Sequence, residues 1–242
     1  MDYFENGSLM DLIIKDSKGL LPSNFTNTQK QIILVGISLG MMILHSRHII
    51  HRDLKSDNIL LDKNYQPKIT DFGLSKIYDP SCSMKQSKSN CGTLPYMAPE
   101  VINGNEFNTK ADVYSFGILM YEVVGGCVAY HDEISTLSPF KFQENVLKGH
   151  RPKFNFPIKK GLKTMIKKCW SHNPEERPTF CEIFNKLSLS QDDSFFQLEN
   201  CIYDPVINMF IDDGDMTEYG STKFCLENVD MDELFEYIEK VM

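Results

Sequence analysis

His51-Arg52-Asp53-Leu54-Lys55-Ser56-Asp57-Asn58 is followed by Asp71-Phe72-Gly73 and, after a polar stretch, by Ala98-Pro99-Glu100. In an extended loop, residues two apart point to the same side, so Lys55 is expected beside Asp53. Asn58 and Asp71 supply an amide oxygen and a carboxylate, both hard oxygen donors. Between them, Ile59-Leu60-Leu61, the turn Asp62-Lys63-Asn64, and Lys68-Ile69-Thr70 read as a short hairpin. Its open end would hold Asn58 and Asp71 side by side. Taken singly, each of these residues is a loop charge on a solvated turn; their joint spacing carries the reading.

The series resembles the protein-kinase signature set, from the His-Arg-Asp loop through Asp-Phe-Gly to Ala-Pro-Glu. The resemblance covers residues 1–187 and implies a mainly α (α+β) fold: a protein-kinase-like C-terminal lobe with a short β-hairpin beside the catalytic loop. It also implies an activity, transfer of the γ-phosphate of ATP to protein hydroxyls. Phosphoryl transfer requires a hydroxyl aimed in line with the γ-phosphate and metal held against the charge that spreads there. The resemblance makes Asp53 the acceptor of the hydroxyl proton, Lys55 the cation that offsets phosphate charge, and Asn58 a third catalytic residue. Asn58 and Asp71 become the Mg2+ ligands. For ATP it implies that the backbone of Asp2 to Phe4 faces adenine, that Ser8 lies near the ribose, and that Leu60 forms the adenine floor. Ser8 also reads, without any resemblance, as the N-cap of a helix over Leu9 to Ile14. The implied cofactors are ATP and Mg2+, and the implied partner is a protein substrate.

Other positions follow the same family. His51 is expected to pack on Phe72 and to do no acid-base chemistry. Asp112 is expected to brace the backbone of the catalytic loop. Glu100 is expected to form a buried ion pair with Arg177. Thr93, in Gly92-Thr93-Leu94-Pro95-Tyr96, is expected to bond toward Asp53 and Lys55, which together with Lys55 points to Ser/Thr specificity. Cys169-Trp170 and Arg177-Pro178-Thr179-Phe180 resemble the tyrosine-kinase-like group of Ser/Thr kinases. Leu74 to Leu94, with Ser81, Ser83, Ser87 and Ser89, resembles an activation segment that a phosphate orders by pairing with Arg52.

Composition bounds the rest. The 242 residues are 42% hydrophobic and 24% charged, as in an ordinary globular protein. The longest apolar run, Ile32 to Leu44, has 13 residues, short of the ~20 that span a bilayer. It falls in a helix expected over Thr28 to Ser46, with Met41, Met42 and His45 structural. The first residues have neither a basic start nor an apolar stretch, so a cytoplasmic, intracellular protein is expected. Seven cysteines without C-x-x-C spacing predict reduced thiols and neither disulfide framework nor zinc site. Gly125 to Pro139, with His131, Asp132 and Glu133, reads as a polar surface loop. Trp170 reads as core.

The net charge of −8 divides unevenly. Residues 188–242 carry 14 Asp or Glu against Lys223 and Lys240, a balance of −12, which leaves +4 for the remainder. Two parts are therefore expected: a kinase domain, hinge and C-lobe only, over 1–187, and an acidic C-terminal tail over 188–242 ending in an amphipathic helix at Asp230 to Val241. That helix would dock on its own lobe or on a protein partner. Nucleic acid is not an expected partner. No Gly-x-Gly-x-x-Gly and no Val-Ala-Ile-Lys occurs, so the small lobe is expected to be missing. Met1 falls where the family places the residue guarding the adenine pocket, hence the expectation of a longer reading frame. Two functions are open: a Ser/Thr kinase truncated of its N-lobe, or a catalytically inactive lobe-only pseudokinase that acts as a scaffold.

Overall fold

Every residue from Ala111 to Val123 is buried, so the helix that contains them, Lys110–Gly125, must be surrounded by other elements. A computed structural model, which describes residues 4–23, 25–77, 92–104 and 108–188, shows how. In chain order the helices are α1 (Leu9–Ser17), α2 (Asn27–Ser46), α3 (Pro99–Ile102), α4 (Lys110–Gly125), α5 (His131–Thr136), α6 (Pro139–Leu147), α7 (Lys160–Cys169) and α8 (Phe180–Ser188). The strands are β1 (Ile49–Ile50), β2 (Ile59–Leu61), β3 (Pro67–Ile69) and β4 (Lys76–Ile77). Helix α4 packs on α7 and α2, and α2 packs along α8 and against β1 and β3.

Two antiparallel pairs sit on this helical base. β2 and β3 align Ile59 with Ile69 and Leu61 with Pro67, so the expected hairpin forms, its second strand starting at Pro67, one residue before the expected Lys68, and ending at Ile69. β1 and β4 pair Ile49 with Ile77. The hairpin rests on the glycine face of α2. A Cβ built at Gly36 would lie 2.6 Å from the Pro67 ring, and one at Gly40 2.8 Å from Ile69 Cδ1. Glycine is needed at Gly36 because the proline ring has no rotamer to swing into.

Helix α1 runs three residues past the expected Ile14. Ser8 and Asp11 form a capping box, Leu9, Leu12 and Ile13 face the core, and polar Lys15-Asp16-Ser17 continue the solvent side. The expectation of a loop over Gly125 to Pro139 needs correction, because His131–Thr136 is helical. Asp132 and Glu133 lie in its first turn, where negative charge suits the helix dipole, and Ser135 and Thr136 donate back to the Asp132 carbonyl.

A long-range lock closes the base. The Arg177 Nη1 and Nη2 atoms donate to Glu100 Oε1 and Oε2 at 2.6 and 2.8 Å. Arg177 also donates to the carbonyls of Ser171 and Lys110, at 2.9 Å each. The guanidinium is fully buried and all its directions are filled. Trp170 is a core residue, as read from the sequence, and Cys169 beside it is fully buried. No helix among the described residues is long and apolar enough to cross a membrane. The expected serine-rich segment, apart from its two ends, the tail with its Asp230 to Val241 helix, and Met1 to Tyr3 lie outside the described residues.

Candidate active site

The loop from His51 to Asn58 hangs from α4. Asp112 Oδ1 accepts the Arg52 N–H and Oδ2 the His51 N–H, both at 2.9 Å, and His45 Nε2 stands 2.8 Å from Oδ2. Burial acts to raise the Asp112 pKa, but His45 and the two backbone donors together hold it below the usual carboxylate value. Arg52 can then keep its left-handed backbone, φ 70°, which a non-glycine residue adopts only when its surroundings hold it there. On the other side, the His51 ring lies 5.1 Å from that of Phe72, and its Nε2 is 3.0 Å from the Thr70 carbonyl.

Asp53 is the centre of a closed set of hydrogen bonds. Its Oδ1 accepts from both the backbone N–H and the hydroxyl of Thr93, at 2.9 Å each. Lys55 Nζ donates to the Thr93 hydroxyl at 2.9 Å and lies 3.1 Å from Asp53 Oδ2. Asn58 Nδ2 donates to the Asp53 carbonyl at 2.8 Å and to Oδ2 at 3.2 Å. The amide nitrogen of Asn58 is thereby tied to the loop, which leaves its oxygen for a ligand.

Asp71 reaches this place through the hairpin. Both the N–H and the hydroxyl of Thr70 donate to the Asn58 carbonyl, at 2.9 and 3.0 Å, so the residue before Asp71 is fixed to Asn58. Asp71 has φ 62°, is exposed, and accepts one long bond from the Gly73 N–H at 3.4 Å. Its carboxylate is open to a cation. An amide oxygen and an accessible carboxylate at one end of a hairpin fit Mg2+, which takes few protein ligands and completes its octahedron with phosphate and water.

The expected nucleotide residues are partly gathered. Ser8 and Leu60 meet in an isolated antiparallel bridge beside β2, and Leu60 is half-buried between buried neighbours. The Ser8 hydroxyl is committed to its cap, bonded to Asp11 Oδ2 at 2.8 Å. The Phe4 carbonyl accepts from the Gly7 N–H at 3.1 Å and closes a turn, while Asp2 lies outside the described residues.

A second buried chain of bonds escaped the sequence reading. Ser56 Oγ lies 2.8 Å from Tyr96 Oη, which donates to Glu122 Oε2 at 2.8 Å, and Glu122 Oε1 accepts the Ala129 N–H at 3.0 Å. Burial lifts the Glu122 carboxyl to about 7, against the pull of the Ala129 N–H and the Tyr96 hydroxyl. The chain fastens the Leu94–Tyr96 turn to the loop that carries Asp53. Its signal in the sequence was a lone acid inside the apolar run of α4.

These arrangements agree with the comparisons to known proteins. The sequence profile for protein tyrosine and serine/threonine kinases matches residues 1–187. The chain is 41% identical over 152 residues to the dual specificity protein kinase shkE of Dictyostelium discoideum, covering 62% of this chain and 21% of that protein. It is 36% identical over 190 residues to a probable serine/threonine-protein kinase of the same organism, covering 78% and 17%. It is 38% identical over 151 residues to the serine/threonine/tyrosine-protein kinase HT1 of Arabidopsis thaliana, covering 62% and 37%. The matched part of the chain thus spans between about a sixth and somewhat over a third of these relatives. With the His51 to Asn58 loop hung from Asp112, and the profile matched from Met1 to Leu187, the chain belongs to the protein tyrosine and serine/threonine kinase family.

Proposed function

We propose that this chain transfers the γ-phosphate of ATP to serine or threonine hydroxyls of a protein substrate. The observation that carries the reading is the Asp53, Lys55 and Thr93 set, in which one carboxylate, one ammonium and one hydroxyl meet at 2.9–3.1 Å. A substrate hydroxyl arriving there meets Asp53 as the acceptor of its proton, with the aspartate oriented by Thr93 and Asn58. Lys55 holds positive charge where the transferred phosphoryl group gathers negative charge. Asn58 and Asp71 are the residues that would hold Mg2+, which neutralises phosphate charge when bound. Leu60 offers the apolar surface for adenine. The bond between Lys55 and the Thr93 hydroxyl supports the preference for serine and threonine.

Single-turnover transfer from γ-labelled MgATP to a generic acceptor protein, followed by phosphoamino-acid analysis, tests this. The reading expects slow labelling of serine and threonine, reduced by about 100-fold or more in Asp53→Asn. Equal labelling in the variant, or label on tyrosine alone, would overturn it.

A further inference from the structure

Residues 145–174 contain eight Lys or Arg and no Asp or Glu. The structure sorts these cations. Lys148 pairs with Glu144, and Arg151 donates inward to the carbonyls of Trp170, Val146 and His150. The other six are Lys153, Lys159, Lys160, Lys163, Lys167 and Lys168, and among the described residues none of them pairs with a carboxylate. Lys163 lies over the Phe154 ring, 5.1 Å from its centroid.

Helix α7 gathers most of them. Leu162, Met165, Ile166 and Cys169 face the core, and Lys160, Lys163 and Lys167 recur on the opposite side at spacings of three and four, with Lys168 beside them. Lys167 and Lys168 suit the negative end of the helix dipole, whereas the charges at the helix start oppose it. Lys159 and Lys160 stand at its positive end, its first turn has no acidic residue, and no side chain caps it. A stripe of like charge with a bare helix start at one end is complementary to an extended anion.

The chain itself supplies such an anion. Residues 189–242 hold 14 carboxylates and two lysines. They begin where α8 ends, and contacts run from that point to the foot of α7. The Leu187 carbonyl accepts from Gln31 Nε2 at 2.9 Å, next to Lys30, whose Nζ is 2.8 Å from Asp16 Oδ2. Asp16 packs on Gly126, and the neighbouring Gly125 packs on the Phe156 ring, just before Lys159. A relay of packing contacts thus connects the exit of the acidic segment with the residues just before α7. Fifty-four residues reach far beyond the 10 residues of α7, and tethering raises the local concentration of a ligand to the order of millimolar.

We propose that the lysine face of α7 is the docking surface for the acidic segment 189–242 of the same chain. Carbodiimide coupling on the full chain tests it, with 14N and 15N chains mixed so that links within a chain and between chains differ in mass. The proposal expects links from Lys160, Lys163 or Lys167 to carboxylates between Asp192 and Glu239 of the same chain, lost at about 0.5 M salt as screening shortens. Glutamyl endopeptidase gives a second readout at Glu199 to Glu239. Cleavage there should rise about tenfold in K160Q/K163Q/K167Q and stay unchanged in K160R/K163R/K167R, because the rate follows the undocked population. Links of mixed mass would overturn the proposal in favour of a second copy on this face. No link to α7, or equal cleavage in the Gln and Arg variants, would overturn it outright.

Discussion

Arg177 and Glu100, 77 positions apart in sequence, meet through two parallel bonds of 2.6 and 2.8 Å with the guanidinium fully buried. The pair joins the Ala98-Pro99-Glu100 turn to the segment before α8, so it reports closure of the whole base. Removing one partner strands the other's charge, at a cost of about 3–5 kcal/mol. Arg177→Met should lose that much in urea unfolding. The double variant E100L/R177M should lose less than the two single changes combined, since the stranded charge is then gone. Additive losses would contradict this account of the pair.

Glu122 gives the fold a pH dependence with a defined sign. Burial raises its carboxyl from the ordinary 4.5 to about 7. Between those values the unfolded chain gives up the proton while the folded chain keeps it, so stability falls as pH rises through the window. Below 4.5 the carboxyl is neutral in both states and the penalty vanishes. Glu122→Gln can still accept from Ala129 and can donate to Tyr96. The variant should therefore gain on the wild type between pH 5 and 7.5 by on the order of 3 kcal/mol. Thermal unfolding across that range checks it, and parallel curves would exclude Glu122 as the source.

Gly36 and Gly40 separate rigid from yielding contact. Replacing a helix-interior glycine by alanine favours the helix by about 0.5–1 kcal/mol, while overpacking costs about 1–3 kcal/mol. At Gly36 the obstacle is the Pro67 ring, which cannot turn aside, so Gly36→Ala should be destabilised by about 1–2 kcal/mol. At Gly40 it is the tip of the Ile69 side chain, which can move, so Gly40→Ala should fall within about 0.5 kcal/mol of wild type. Chemical denaturation of the two variants decides this.

How much the sequence revealed depends on the range of each interaction. The hairpin over Ile59 to Thr70 was legible because a short apolar run and the Asp62-Lys63-Asn64 turn are local signals, while its register, Ile59 opposite Ile69, came from the structure. The capping role of Ser8 was equally local. The bonds from Thr93 to Asp53 and Lys55, and from Asp112 to the loop backbone, were legible through family resemblance and span 38 to 61 positions, beyond any periodicity argument. The Ser56, Tyr96 and Glu122 chain went unread, because a single acid in an apolar run does not show which hydroxyl it will meet across 26 positions. The short α5 was missed because five polar residues and one exposed isoleucine, Ile134, carry no hydrophobic period, and its support comes from dipole and side-chain bonds to its own backbone.

The central claim is that the hairpin brings Asn58 and Asp71 together to receive the metal that accompanies ATP. Thermal unfolding of the 242-residue chain with increasing MgATP, beside Asp71→Ala, tests it most directly. The account predicts saturable stabilisation of the wild type, worth roughly 2.7 kcal/mol at 100 times the dissociation constant, and its loss in the variant. Equal stabilisation of both proteins, or none in either, would contradict it.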